Sequence, residues 1–217
     1  SSKNNSLLKD YSIVIEGNII KEILPSKEVL KKYKTADHLM LKNHILVPGL
    51  INNNISTPYI FTRKSLNNNI DNMRQKIDPR KYLELSTNIS ICQMIKNGIT
   101  TFTDTSMHPE IVIKQAIKSG IRANVGLPIS SYKTNWANKE QEYFKKTISF
   151  YDEYRNDPSI KLYLNLNSIH MLSKRGFEKV SQIVSELDVP VRMHLHEDLN
   201  KLKIFKRKYK QRPIKFL

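Results

Sequence analysis

The chain has little that would cross-link it or place it in a membrane. Its 217 residues include one cysteine, Cys92. A single thiol cannot close an internal disulfide, which excludes a disulfide-stapled scaffold and makes a cytoplasmic location the default expectation. No stretch approaches the roughly 20 apolar residues that a membrane-crossing helix needs, so no membrane partner is expected. Behind Ser1-Ser2-Lys3-Asn4-Asn5-Ser6 there is no apolar run of the kind a signal peptide carries. Alanine is scarce and no internal repeat is visible. Acidic residues are few: 20 Asp and Glu stand against 36 Lys and Arg, a formal net charge of +16.

That excess fits a nucleic-acid or acidic-surface partner. The lysines are nevertheless spread along the whole chain, apart from a basic run at Lys201–Lys210. The chain is also rich in Asn and Ile, a bias that an AT-rich coding sequence produces by itself. Charge alone therefore leaves a nucleic-acid partner open without favouring it. Hydrophobic residues make up 39% of the chain, enough to build a globular core.

Tyr11–Ile20 alternates apolar and polar residues around the turn signal Glu16-Gly17-Asn18 and reads as a hairpin. A further β segment is expected at His38–Lys42. From Ile45 onward the pattern becomes strand, helix, strand. Strands are expected at 45–51, 99–104, 121–127, 160–166 and 189–195, and helices at 79–96, 109–118, 138–155, 174–187 and 199–209. Pro79 suits a first helical turn, and Gly98 and Gly120 suit helix stops. Tyr143, Phe144, Phe150, Tyr151 and Tyr154 recur at helical spacing and read as core rather than as a stacking platform. The tract Asn67–Asn69 and the segment 130–138 read as surface loops. Strands alternating with helices imply parallel pairing and right-handed crossovers. The expected fold is α/β: a partial (β/α)8 TIM-type barrel of about five units, from residue 47 to 217, preceded by a small β segment over 1–46.

One stretch carries a more specific signal. Val47-Pro48-Gly49-Leu50-Ile51-Asn52-Asn53-Asn54-Ile55-Ser56 resembles the first barrel strand of the amidohydrolase superfamily. The branch in question holds cytosine and adenosylhomocysteine deaminases and triazine chlorohydrolases, and it writes this segment Pro-Gly-Leu-Ile-Asn-x-His-x-His. Met94–Asp104 is similar to the family's Met-x-x-x-Gly-Thr-Thr-Thr-Phe-x-Asp, and Ala116–Ala123 to its Ala-x-x-x-Gly-x-Arg-Ala. Pro190–Glu197 looks like its fifth-strand His-x-His-Leu-Ala-Glu, and Arg212-Pro213-Ile214 has a parallel in the following helix. The resemblance runs in order from about Tyr11 to the last residue.

The resemblance implies a β-sandwich beside a barrel, and a divalent metal that turns water into hydroxide while a carboxylate moves protons. Asn54 and Ser56 stand where the metal-binding histidine pair is written, and an amide or hydroxyl oxygen is a poorer ligand for zinc or iron than imidazole. His194 falls on a third metal ligand and Glu197 on the proton-shuttling acid. Asn167, flanked by Asn165 and His170, replaces a substrate-binding histidine. The family's sixth-strand histidine and eighth-strand aspartate fall beyond Leu217. His194 and His196, two apart on one strand, form a candidate substitute metal pair with Glu197, Asp198 or Asp104. Asp104 itself is expected to hold loop backbone.

The favoured expectation is a degenerate amidohydrolase with no cofactor, catalytically inactive as this chain. An active metal-dependent hydrolase, using zinc or iron, is the alternative; it would be rewired around His194, His196 and Glu197 or completed by a homodimer partner or a C-terminal half pairing with the open barrel edge. A basic module binding nucleic acid or another acidic surface ranks third.

Overall fold

A computed structural model describes residues 7–59, 78–134, 136–166, 168–169, 172–196 and 198–216. The chain divides into two compact units, Ser1–Val47 and Pro48–Leu217.

In the first unit, β1 (Tyr11–Glu16) and β2 (Ile19–Pro25) pair antiparallel. The connecting turn puts Gly17 at φ +62°, a conformation glycine adopts without the Cβ clash of other residues. Helix α1 (Ser26–Lys32) follows, tied back by a hydrogen bond between the Ser12 and Ser26 hydroxyls at 2.8 Å. The strand expected at His38–Lys42 does not form; those residues are irregular and Leu39 and Met40 are exposed. β-propensity makes a strand only where a neighbour supplies the ladder, and no described residue does so here.

The second unit is a five-stranded parallel sheet in sequence order: β3 (Leu50–Ile55), β4 (Ile99–Asp104), β5 (Arg122–Pro128), β6 (Ile160–Leu166) and β7 (Val191–Met193). The crossovers carry α2 (Pro79–Lys96), α3 (Pro109–Ser119), α4 (Glu140–Tyr154) and α5 (Lys174–Leu187); α6 (Leu199–Tyr209) and α7 (Pro213–Phe216) follow β7. This is the expected α/β architecture, a curled partial barrel. Local chemistry sets the helix ends. Asp78 caps α2 by accepting from Lys81 N at 3.0 Å, with Pro79 next to it, and Gly120 closes α3 in the left-handed conformation.

Two strands differ from expectation. The first was expected at 45–51, yet Ile45–Val47 are irregular and exposed while the polar run Asn52–Asn54 is strand. Pairing with β4, through Leu50 opposite Ile99 and Asn52 opposite Phe102, overrides hydrophobicity. The last strand was expected at 189–195 and spans only Val191–Met193. Pro190 lacks an N–H, although its carbonyl still accepts from Leu164 N at 2.8 Å.

The core lies between the sheet's outer face and the helices. Phe102, Val125, Leu127 and Leu162 pack with Ile91, Met94, Val112, Ile113 and Ala116; Leu164 and Leu166 pack with Phe144, Val180 and Ile183. Tyr143 and Phe144 are buried, and Phe150, Tyr151 and Tyr154 pack half-buried against the core, so the aromatic series is packing surface as expected. The starts of α4 and α5 are joined by Glu140, whose carboxylate accepts from Ser173 N at 3.1 Å and from Ser173 Oγ at 2.7 Å. Glu140→Ala leaves both donors without this acceptor. It should lower the unfolding free energy by about 1–2 kcal/mol in a denaturant titration, with Glu140→Gln in between.

Candidate active site

In a barrel of this kind the C-terminal strand ends and the loops that follow them carry the chemistry. The inner face here is polar. Side chains alternate along each strand, so Asn53, Thr101, Thr103, Arg122, Asn124, Gly126, Lys161, Tyr163, Asn165 and Arg192 share the face opposite the apolar core. Contacts confirm the sharing. Thr103 Oγ1 donates to Asn53 Oδ1 at 3.1 Å. Tyr163 and Asn165 reach over β5 to β4, donating to the Asp104 carbonyl at 2.7 Å and the Thr105 carbonyl at 3.1 Å. They can do so because residue 126 is glycine: a Cβ there would lie 2.8 Å from Asn165 Cβ and from Tyr163 Cζ and Oη. Arg192 begins on β7, one edge of the sheet, and its guanidinium donates to the Asn53 carbonyl on β3, the other edge, at 3.0 Å. Burial pushes the Tyr163 phenol up to about 12, while the nearby Arg192 charge pulls the other way.

Asp104 is fully buried at the end of β4. Its Oδ2 accepts from Thr57 N and Thr57 Oγ1, both at 2.8 Å, and its Oδ1 from Ser106 N at 2.8 Å. It holds loop backbone, as expected. Burial keeps its carboxyl above the ordinary carboxylate range, against the opposing pull of the Ser106 and Thr57 donors.

Asn54 is exposed, and its backbone N–H donates to Asn52 Oδ1 at 3.3 Å. Ser56 Oγ is 3.2 Å from Thr105 Oγ1, a hydroxyl pair. His194 is half-buried and lies just past the end of β7. His196 is exposed at φ +56°. The strand has ended before these two residues, so the period-two spacing expected to align them does not apply. Both still line one small cleft of ≈ 10 Å³, together with Ser168 and Asp198. Asn167, His170 and Glu197 lie outside the described residues. A larger cleft of ≈ 220 Å³ sits at the starts of α2 and α3, where His108 Nδ1 is 3.7 Å from Glu110 Oε1.

Among the described residues, no three His, Cys, Asp or Glu side chains converge as a metal site. The amide and hydroxyl at positions 54 and 56 are poor zinc donors, and Ser56 is already engaged with Thr105. The described donors do not fit a catalytic zinc. Sequence reading missed Arg192, Tyr163, Thr103 and Gly126. Their signal was polar alternation within strands otherwise read for their apolar halves.

A family model, the amidohydrolase family, matches residues 45–215. The chain belongs to the amidohydrolase family. It is 26% identical over 196 residues to a 5-methylthioadenosine/S-adenosylhomocysteine deaminase of Saccharophagus degradans, covering 85% of this chain and 43% of that protein. It is 28% identical to a 5′-deoxyadenosine deaminase of Methanocaldococcus jannaschii, covering 96% of this chain and 51% of the relative. The chain thus spans about half the length of the curated relatives it matches. In fold it is similar to guanine deaminase of C. acetobutylicum with bound guanine (TM-score 0.78, 19% identity, 97% of this chain and 54% of that one). It is also similar to a zinc-bound adenosine deaminase of Xanthomonas campestris (TM-score 0.76, 20% identity, 96% and 49%).

Proposed function

We propose that this amidohydrolase-family chain descends from metal-dependent hydrolases acting on C–N or C–Cl bonds of heterocyclic rings and does not turn over such substrates by itself. One observation carries the reading. Where the resembled family writes its first-strand histidine pair, this chain has an exposed Asn54 and a Ser56 bonded to Thr105. His194 alone cannot supply the three protein ligands a catalytic zinc normally takes. A cytoplasmic setting belongs to the same proposal; no helix among the described residues is long and apolar enough to cross a membrane.

The chain purified with added zinc should hold less than about a tenth of an equivalent of metal by elemental analysis, against one or more for a working site. It should release no ammonia from 5′-methylthioadenosine, S-adenosylhomocysteine or guanine. Stoichiometric zinc with chelator-sensitive deamination ends this reading.

A second reading has its own support. Among the described residues β3 and β7 are the edge strands of the sheet, and a sheet edge is where a further strand can add. An active hydrolase would then be assembled with another polypeptide, a second copy or a complementing half, with His194, His196 and Glu197 contributing. Deaminase activity that appears only with a co-purifying chain selects this assembly. A basic binding module is third: Lys206, Arg207 and Lys208 occupy the last turn of α6, where cations also stabilise the helix dipole.

A further inference from the structure

The inner face of the sheet is positively charged, and none of that charge is neutralised by a described carboxylate. A TIM-type barrel is ordinarily filled from inside by branched apolar residues. Here that face bears Arg122, Lys161 and Arg192, and none of them pairs with an Asp or Glu among the described residues. Arg122 spends two donors on hydroxyls, Thr101 Oγ1 and Thr100 Oγ1, each at 3.0 Å. Arg192 gives one N–H to the Asn53 carbonyl and lies against the Tyr163 hydroxyl. A guanidinium has five donors and never loses its charge, so most of the Arg192 fork is left for a ligand. The Thr103 and Tyr163 hydroxyls and the Asn165 amide beside it already donate to Asn53 Oδ1 and to the Asp104 and Thr105 carbonyls, so the unspent donors next to them are those of the guanidinium.

We infer that this concave face binds the phosphate group of a small phosphomonoester, with Arg192 as its principal partner and Lys161 and Arg122 supplying further positive charge. The inference rests on the metal-free reading above, because a resident dication on the same face would oppose the guanidinium. Phosphate fits the donors present: near pH 7 it carries up to two negative charges and three strong acceptor oxygens, and an arginine fork can engage two of those oxygens at once. The side chain is also held in place for this task. It is anchored at one edge strand and tethered to the other, so little rotamer freedom remains to be lost on binding.

The test is titration of the whole chain with inorganic phosphate, and separately with a nucleoside 5′-monophosphate, at constant ionic strength. Binding is followed by calorimetry or by the backbone amide resonances of β3, β6 and β7. Saturable binding to the wild type is expected, weakened at least tenfold by Arg192→Gln and several-fold by Lys161→Gln. Replacing Lys206, Arg207 and Lys208 together by Gln should leave it unchanged. Lys161 is exposed, so its variant reports even where Arg192→Gln does not fold. The inference is overturned by absent saturation, by equal affinity in the Lys161 and Arg192 variants, or by loss of binding in the α6 variant. Zinc content measured on the same samples separates the two readings: metal-loaded protein sinks the metal-free reading, whereas metal-free protein without phosphate affinity sinks only this inference.

Discussion

Asp104→Ala should lower the unfolding free energy by about 4 kcal/mol, the largest single loss expected from any polar residue at the strand ends. Three donors converge on this carboxylate: the backbone N–H groups of Thr57 and Ser106 and the Thr57 hydroxyl. Thr57 and Ser106 are themselves buried, so water does not readily replace the lost acceptor. Each buried, unmatched donor costs about 1–3 kcal/mol. Asp104→Asn keeps one accepting oxygen but turns an NH2 toward donors, and should cost about half as much. The pH dependence follows from burial. The folded carboxyl sits above the unfolded value of about 3.9, so over that window the native state holds a proton that the unfolded chain has released. The Asp104 contribution is therefore fully present below the unfolded value and declines as pH rises through the folded one. Glu22, Glu142 and Asp157 are held low by their partners and act in the opposite sense, losing their contribution as pH falls. The informative quantity is the difference between wild type and Asp104→Asn in denaturant midpoints across pH 4–8. A stabilisation gap that does not narrow with rising pH contradicts the assignment.

Much of this arrangement could be read along the chain, because it is encoded locally. Pro79, Gly98 and Gly120 mark helix ends by backbone chemistry, and the alternation of apolar strands with helical stretches gives the parallel sheet. Asp104, at a strand end, was legible as a holder of loop backbone. What escaped reading depends on pairing between distant segments. Asn52–Asn54 becomes strand because β4 supplies the ladder, while the more apolar Ile45–Val47 has no such neighbour and stays irregular. The His194 and His196 pair would share one strand face only in a strand extended past Met193, where β7 ends. Arg192 is the clearest case. Its partner, the Asn53 carbonyl, lies 139 residues away and across the curl of the sheet. No local window contains both ends of that contact.

Gly126→Ala is expected to cost about 3 kcal/mol, a large penalty for one methyl group, because of where that methyl points. The new Cβ would stand 2.8 Å from Asn165 Cβ and from the end of the Tyr163 ring. Asn165 Cβ is fixed to its strand, and a tyrosine ring cannot fold aside as a lysine tip can. Relief requires Tyr163 to withdraw from the Asp104 carbonyl or β5 to move from β6, and either breaks contacts on the inner face. Tyr163→Phe removes only the hydroxyl's hydrogen bond and should cost about 1 kcal/mol. A double-mutant cycle separates the two causes. If the ring is the obstacle, Gly126→Ala made together with Tyr163→Ala should cost at least 1 kcal/mol less than in the wild-type background. If Asn165 Cβ alone is limiting, or if strand entropy governs position 126, the two losses simply add. An additive cycle in chemical denaturation therefore rejects the view that glycine stands here so that β6 side chains can cross to β4.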